Sequence, residues 1–170
     1  MSESPGAPAL WQGRTRTAEQ TEALGAALAR AVPREAEDAL IIYLVGELGA
    51  GKSTFARGFL QALGVSPPIK SPTYTLLEHH EIAGLVVLHL DLYRLSEAGE
   101  LDTLGLRELA APGHLWLIEW PQRGGGRLPA PDLEIALGVL PEAHSLRMQS
   151  RSSIGASWLK GAVALFPATT

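Results

Sequence analysis

The run ALIIYLVGELGAGKSTFARGFLQALG, residues 39–64, leaves this chain fewer folds than any other stretch. Residues 39–45 are continuously apolar and rich in Ile, Tyr and Val, which reads as a buried strand. A glycine turn follows, and from Lys52 the positions Phe55, Phe59 and Leu63 recur on one helical side until Gly64 supplies a C-terminal glycine. Within the turn, Gly46, four residues, Gly51, Lys52 and Ser53 have the spacing of a phosphate loop set between a strand and a helix.

Each residue type in that turn has a physical reason. Backbone N–H groups of a glycine-rich turn converge on phosphate oxygens, and the following helix presents the positive end of its dipole. Gly49 and Gly51 permit backbone angles and a close approach that a side chain would block. Lys52 adds a full charge for the terminal phosphates, and the Ser53 hydroxyl suits Mg²⁺, with Thr54 a neighbour able to serve similarly. A lysine at a helix start is otherwise electrostatically unfavourable, and a bound anion reverses that penalty. The predicted nucleotide contacts are therefore Leu48, Gly49, Ala50, Gly51, Lys52, Ser53 and Thr54.

The chain has 170 residues, 46% hydrophobic and 19% charged, which suits one globular domain. It contains no cysteine, so disulfides and thiolate metal sites are excluded. No apolar run approaches the roughly 18 residues of a membrane span, and the start MSESPGAPAL lacks the pattern of a secretory signal, so a soluble, cytoplasmic protein is expected. A net charge of -4 provides no broad basic field, so a role with nucleic acid requires a partner.

Residues 1–16 are rich in Pro, Gly and Ser without periodicity and are read as a flexible segment ahead of a domain spanning 17–170. Thr17 and Gln20 resemble a capping box opening a helix with Leu24, Leu28 and Ala31 on one side, ended by Pro33. TYTLLEHH and LVVLHLDLY, separated by EIAG, predict an antiparallel hairpin. SEAGELDTLG is a short helix, HLWLIEW a buried strand, GGGRLPAPD a loop, DLEIALGVL and SLRMQSRS strands, and GASWLKGAVALF a closing helix with Trp158 in the core. Together these predict a single α/β domain of the P-loop NTPase type: a mixed, mostly parallel sheet with an antiparallel hairpin and helices on both faces.

Phosphate loops work with a carboxylate at the end of a neighbouring strand. VVLHLD ends at Asp91 and LWLIE at Glu119, and spacing alone does not divide the metal and water-orienting roles between them. His89 and Asp91 share a strand face, but five scattered histidines without a further ligand at suitable spacing argue against zinc or iron. Arg94 stands close enough in sequence to pair with Asp91 or to reach phosphate, and Trp120 with Pro121 either shapes the pocket or caps the strand.

The guanine-reading motif N-K-x-D of regulatory GTPases finds no support, because the chain has no asparagine, and DTLG at 102–105 follows a helical rather than a strand-like stretch. Two other classes remain open on the residues. One is a small-molecule kinase with Arg123 and Arg127 as lid arginines beside the glycine cluster. The other is a nucleotide-gated binding module in which ATP orders SPTYTLLE for a partner.

Taken in order, GELGAGKSTFARGFLQALG, KSPTYTLLE, LHLDLYRL, ELDTLGLRE and LIEWPQ resemble the TsaE (YjeE) family of small bacterial P-loop ATPases. The resemblance implies a part in threonylcarbamoylation of adenosine 37 (t6A37) in tRNAs that read codons beginning with A. It also implies work with the TsaB–TsaD pair, in which TsaD carries the transfer chemistry and ATP hydrolysis supports turnover; tRNA is then met only through the complex. Carried over by motif, Gly49, Gly51 and Lys52 hold phosphates, Ser53 takes the Mg²⁺ position where the family more often has threonine, and Glu119 is the second metal ligand. Asp91 serves hydrolysis, Thr73 makes a switch-like contact, and the segment from Ala18 to Thr21 lies near the adenine.

Overall fold

The computed structural model describes residues 8–167. Seven strands form one sheet in the order β1-β7-β6-β2-β5-β4-β3. They are β1 (Leu10–Thr15), β2 (Leu40–Val45), β3 (Leu77–Ile82), β4 (Leu85–Asp91), β5 (His114–Glu119), β6 (Leu133–Leu140) and β7 (Ala143–Ser150). The centre, β6-β2-β5-β4, is parallel, and the strands outside it pair antiparallel. The α/β class and the mixed sheet thus match the sequence reading.

Alternation along β2 explains its continuous apolarity. Leu40, Ile42 and Leu44 point into a core shared with α1 (Ala18–Arg30), α2 (Lys52–Leu63) and α3 (Ser153–Val163), whereas Ile41 and Tyr43 belong to a second core on the opposite face. A strand buried on both sides has no polar face to show. Helices cover both faces as expected, but unequally. The three α-helices lie on one, and the other is closed by the short 3-10 segments Ala98–Leu104 and Leu106–Leu109, which contribute Leu101 and Leu106.

The helix ends follow their predicted chemistry. Thr17 Oγ1 accepts from the Gln20 N–H at 3.1 Å, while Gln20 Oε1 reaches one residue further back, to the Arg16 N–H at 2.6 Å. Gly64 closes α2 with φ 116. Trp158 is 1% exposed and donates its indole N–H to the Leu28 carbonyl at 2.9 Å, tying α3 to α1.

Three sequence expectations are corrected. The N-terminal segment 1–16 is not loose throughout: Leu10–Thr15 pairs along its length with β7, and the Thr15 hydroxyl meets that of Thr21 at 2.6 Å. Residues 1–7 lie outside the described residues. That edge strand lacks a readable apolar alternation because its inward positions are Trp11, Gly13 and Thr15, of which only Trp11 is a large apolar side chain. The hairpin begins at Leu77 rather than at Thr73, because the preceding segment turns back, with Leu76 N–H bonded to the Pro72 carbonyl at 2.9 Å. The glycine cluster is wound into 3-10 turns, Pro121–Arg127, interrupted at Gly125.

The α1–α2 contact is close because two glycines let the helix backbones meet. A Cβ on Gly58 would stand 2.2 Å from the Glu22 carbonyl oxygen, and one on Gly25 would stand 2.3 Å from that of Phe55. Gly58→Ala is therefore expected to destabilise the protein by about 1–3 kcal/mol, even though alanine is the better helix former by about 1 kcal/mol. Thermal denaturation checks it; a midpoint equal to or above wild type would mean that the helices separate at little cost.

Candidate functional site

The parallel centre brings three strand ends to one edge of the sheet. Asp91 on β4 and Glu119 on β5 are in register, and Glu119 is in register with Leu44 on β2, just before the turn at 46–51. Ligands of open α/β sheets bind beyond such carboxyl ends. Here a cavity of about 450 Å³ opens there, lined by the turn, by both acids, by Arg16 and Thr17 between β1 and α1, and by residues from α1 and β7.

The turn can adopt its shape only with glycine at two points. A Cβ on Gly46 would stand 2.4 Å from the Leu137 carbonyl oxygen, and Gly51, which precedes α2, has φ 106. No side chain caps α2, so its first-turn amides have no intrahelical acceptor, and Gly51, Lys52 and Ser53 line the cavity. That is the physical basis of an anion site.

Lys52 is 5% exposed and folds back over its own loop. Its ammonium donates to the Gly46 carbonyl at 2.5 Å and the Glu47 carbonyl at 2.8 Å, and lies 4.2 Å from the centre of the Trp120 ring. Burial pushes its pKa down, while the charges of Glu119 and Asp91 work in the opposite sense. An ammonium so desolvated gains from any anion that meets it.

The two acids are gripped differently. Glu119 is 1% exposed; its Oε1 accepts from Ser53 Oγ at 2.9 Å, and its Oε2 accepts from His89 Nε2 at 2.7 Å and Ser71 Oγ at 3.0 Å. Burial alone would push this carboxyl up, but the His89 hydrogen bond and charge, then Ser53 and Ser71, outweigh it and hold the group below the usual carboxylate range. Asp91 accepts through Oδ1 from the Tyr93 N–H at 3.0 Å, and through Oδ2 from Ser71 Oγ at 2.5 Å and Thr73 Oγ1 at 3.4 Å.

Most of the residues singled out in the sequence converge. Leu48, Gly49, Gly51, Lys52, Ser53, Thr54, Thr73, Asp91, Glu119 and Ala18 all line the cavity. Ala50 does not: it is fully buried, and its N–H is committed to the Glu47 carbonyl at 3.1 Å. Arg94 reaches the cavity but stacks over Tyr74 at 4.6 Å rather than pairing with Asp91. The suggested lid arginines lie elsewhere, Arg127 on Asp102 at 3.1 Å and Arg123 over Tyr93 at 5.2 Å, and neither lines the cavity.

Sequence reasoning missed Ser71, which joins both acids, and His144, which lines the cavity from β7 with its Nδ1 buried and without a partner. Ser71 stands in the quoted SPTY run, where the choice fell on Thr73. Nothing in the sequence links position 144 to the turn, since β7 joins the site only through its place in the sheet.

The donors fit magnesium better than a softer metal. The oxygens of Ser53 and Glu119 lie side by side at the mouth of the turn, and among the described residues no cluster of three or more His, Cys, Asp or Glu side chains could enclose an ion. Magnesium is characteristically held by one or two carboxylates completed by phosphates and water.

Comparison with known proteins agrees with this geometry. The family described as "Threonylcarbamoyl adenosine biosynthesis protein TsaE" matches residues 15–146. The chain belongs to the TsaE family. The tRNA threonylcarbamoyladenosine biosynthesis protein TsaE of Haemophilus influenzae is 40% identical over 119 residues, covering 70% of this chain and 75% of the relative. Its namesake in Bacillus subtilis is 34% identical over 124 residues, covering 73% and 75%. In fold the chain is similar to the crystal structure of Bacillus subtilis YdiB, with a TM-score of 0.75 at 23% identity, covering 93% of this chain and 97% of that one. The family match begins at Thr15, at the end of β1, and stops within β7, so it contains every cavity residue named here. No helix among the described residues is long and apolar enough to cross a membrane.

Ser71 holds the segment 71–76 of this TsaE-family chain against the acids. Ser71→Ala removes one charge-assisted hydrogen bond, worth about 1.5–3 kcal/mol, and is expected to speed amide hydrogen exchange at Thr73 and Leu76 about tenfold or more. Unchanged exchange would mean that Thr73 alone secures the segment.

Proposed function

We propose that this protein is a magnesium-dependent ATPase of tRNA threonylcarbamoyladenosine biosynthesis, acting with TsaB and TsaD in the formation of t6A37. Family membership and the named relatives support the pathway. The observation that carries the ATPase reading is the meeting, at one cavity, of the uncapped start of α2, the Lys52 ammonium and the Ser53–Glu119 pair 2.9 Å apart, with Asp91 beside them.

In this reading the amides of Gly49 and of residues 51–54 and the Lys52 ammonium take the triphosphate oxygens, Lys52 exchanging its loop carbonyls for phosphate. Ser53 and Glu119 hold Mg²⁺, which when bound neutralises charge on the phosphates. Asp91 orients the attacking water and takes its proton. Tyr93, Ser71 and Thr73 together donate to both oxygens of Asp91, so a shift of the 71–73 segment would free more of the carboxylate for water. Hydrolysis by the isolated chain is accordingly slow, and docking of TsaB and TsaD completes the site. The adenine end of the nucleotide lies by Ala18 and Thr21. The protein meets tRNA only through the complex, in keeping with its net charge of -4, and works in the cytoplasm.

The small-molecule kinase reading has less support, because neither Arg123 nor Arg127 lines the cavity. ATP turnover measured with and without the purified TsaB–TsaD pair and tRNA separates the two: stimulation by the pair is expected here, and indifference to it, with phosphate passed to a small acceptor, is expected of a kinase. Lys52→Ala should weaken ATP binding by about 100-fold or more, since an ammonium and its charge-assisted bonds are lost together. Asp91→Ala should bind ATP nearly as wild type and fail in partner-stimulated turnover. Equal ATP affinity in Lys52→Ala, or normal stimulated hydrolysis in Asp91→Ala, contradicts the corresponding assignment.

A further inference from the structure

The core face of β4 presents Leu85, Val87, His89 and Asp91 in alternation, and His89 among them is 1% exposed. An imidazole there is costly to bury, whereas an aliphatic side chain would continue the apolar row. Its hydrogen bonding shows what it is for. Nε2 meets Glu119 Oε2 at 2.7 Å, and Nδ1 is buried without a partner. The ring therefore makes one polar contact, and that contact is with the carboxylate beside Ser53.

A carboxylate turns readily about its last torsion, which has broad and nearly equivalent minima. On Glu119 the equivalence is broken: Oε2 receives His89 and Ser71, and Oε1 is left toward Ser53. Ser71 has a single hydroxyl proton and lies closer to Asp91, at 2.5 Å, than to Glu119, at 3.0 Å. It also sits in the 71–76 turn, whereas His89 sits on a strand paired on both sides. His89 is thus the donor that stays with Glu119 whatever that turn does.

We propose that His89 is a positioning residue for metal binding: its Nε2–H fixes Oε2 of Glu119 and so keeps Oε1 presented beside the Ser53 hydroxyl. This rests on the magnesium-nucleotide reading given above and adds to it a residue that is not itself a ligand. Hydrogen bonds to the groups that ligate a metal characteristically change its affinity by about 10–100-fold.

The test uses the full chain, wild type and the variants His89→Leu, His89→Gln and His89→Asn. Affinity for a non-hydrolysable ATP analogue is measured across a Mg²⁺ titration and in EDTA, Mn²⁺ binding is followed by electron paramagnetic resonance, and thermal midpoints are recorded. The amide nitrogen of glutamine occupies the place of Nε2, whereas that of asparagine reaches only the place of Nδ1. The Leu and Asn variants should need about 10–100-fold more Mg²⁺ or Mn²⁺, Gln should stay close to wild type, and affinity in EDTA should be the same for all. The Leu variant should melt below wild type, because it leaves Oε2 of the buried Glu119 with Ser71 as its one donor; if it does not fold, the Gln and Asn pair decides by the same metal titration. Wild-type metal dependence in Leu and Asn, or an equal shift in all three variants, overturns the role of His89 while leaving the magnesium site standing. A wild-type protein whose nucleotide affinity ignores Mg²⁺ overturns the metal reading and the role of His89 with it.

Discussion

Two buried carboxylates side by side at the ends of neighbouring strands set the conditions for everything around them. Asp91 and Glu119 are in register across the β4–β5 ladder, 5% and 1% exposed. Like charges so placed repel strongly in a medium of low dielectric, and the pair persists only because each oxygen has a donor and because Lys52 contributes a compensating charge. The positions of Ser53, Ser71, His89 and Lys52 follow from that need. A fold that brought the two strand ends together without those donors would leave the edge unstable.

The same contacts satisfy the charged groups of the site internally. Lys52 is satisfied by the carbonyls of its own loop and by the Trp120 face, so its ammonium is not buried without acceptors. Ser71 and Thr73 occupy Asp91, which ties the SPTY segment to the edge of the sheet where the two acids stand. Exchange of these internal bonds for bonds to a nucleotide would change both the loop and the segment, and Tyr74, 83% exposed and stacked by Arg94, stands where such a change meets the surface.

The phosphate turn, the α2 face of Phe55, Phe59 and Leu63, the strand ending in Glu119 and the hairpin ending in Asp91 could all be read from local pattern, because each depends on residues close together in the chain. The first strand could not. Leu10–Thr15 carries no apolar alternation strong enough to announce itself, and it is a strand because β7 offers it a ladder. Ala50 illustrates the opposite error: it lies inside the motif, yet its side chain points into the core and its amide is already used.

Sequence by itself determined the local geometry of the site: the glycine spacing, one lysine and a hydroxyl make a tight turn running into an uncapped helix start, since those properties reside in short-range backbone geometry and charge. Tertiary structure decided which groups share it. Glu119 is joined to Ser53, Ser71 and His89 across 66, 48 and 30 residues of chain, and His144 enters from the far side of the sheet. Those distances close only when strands adopt one order and one register, and that choice is made by burial of both faces of the sheet at once, which no single segment encodes.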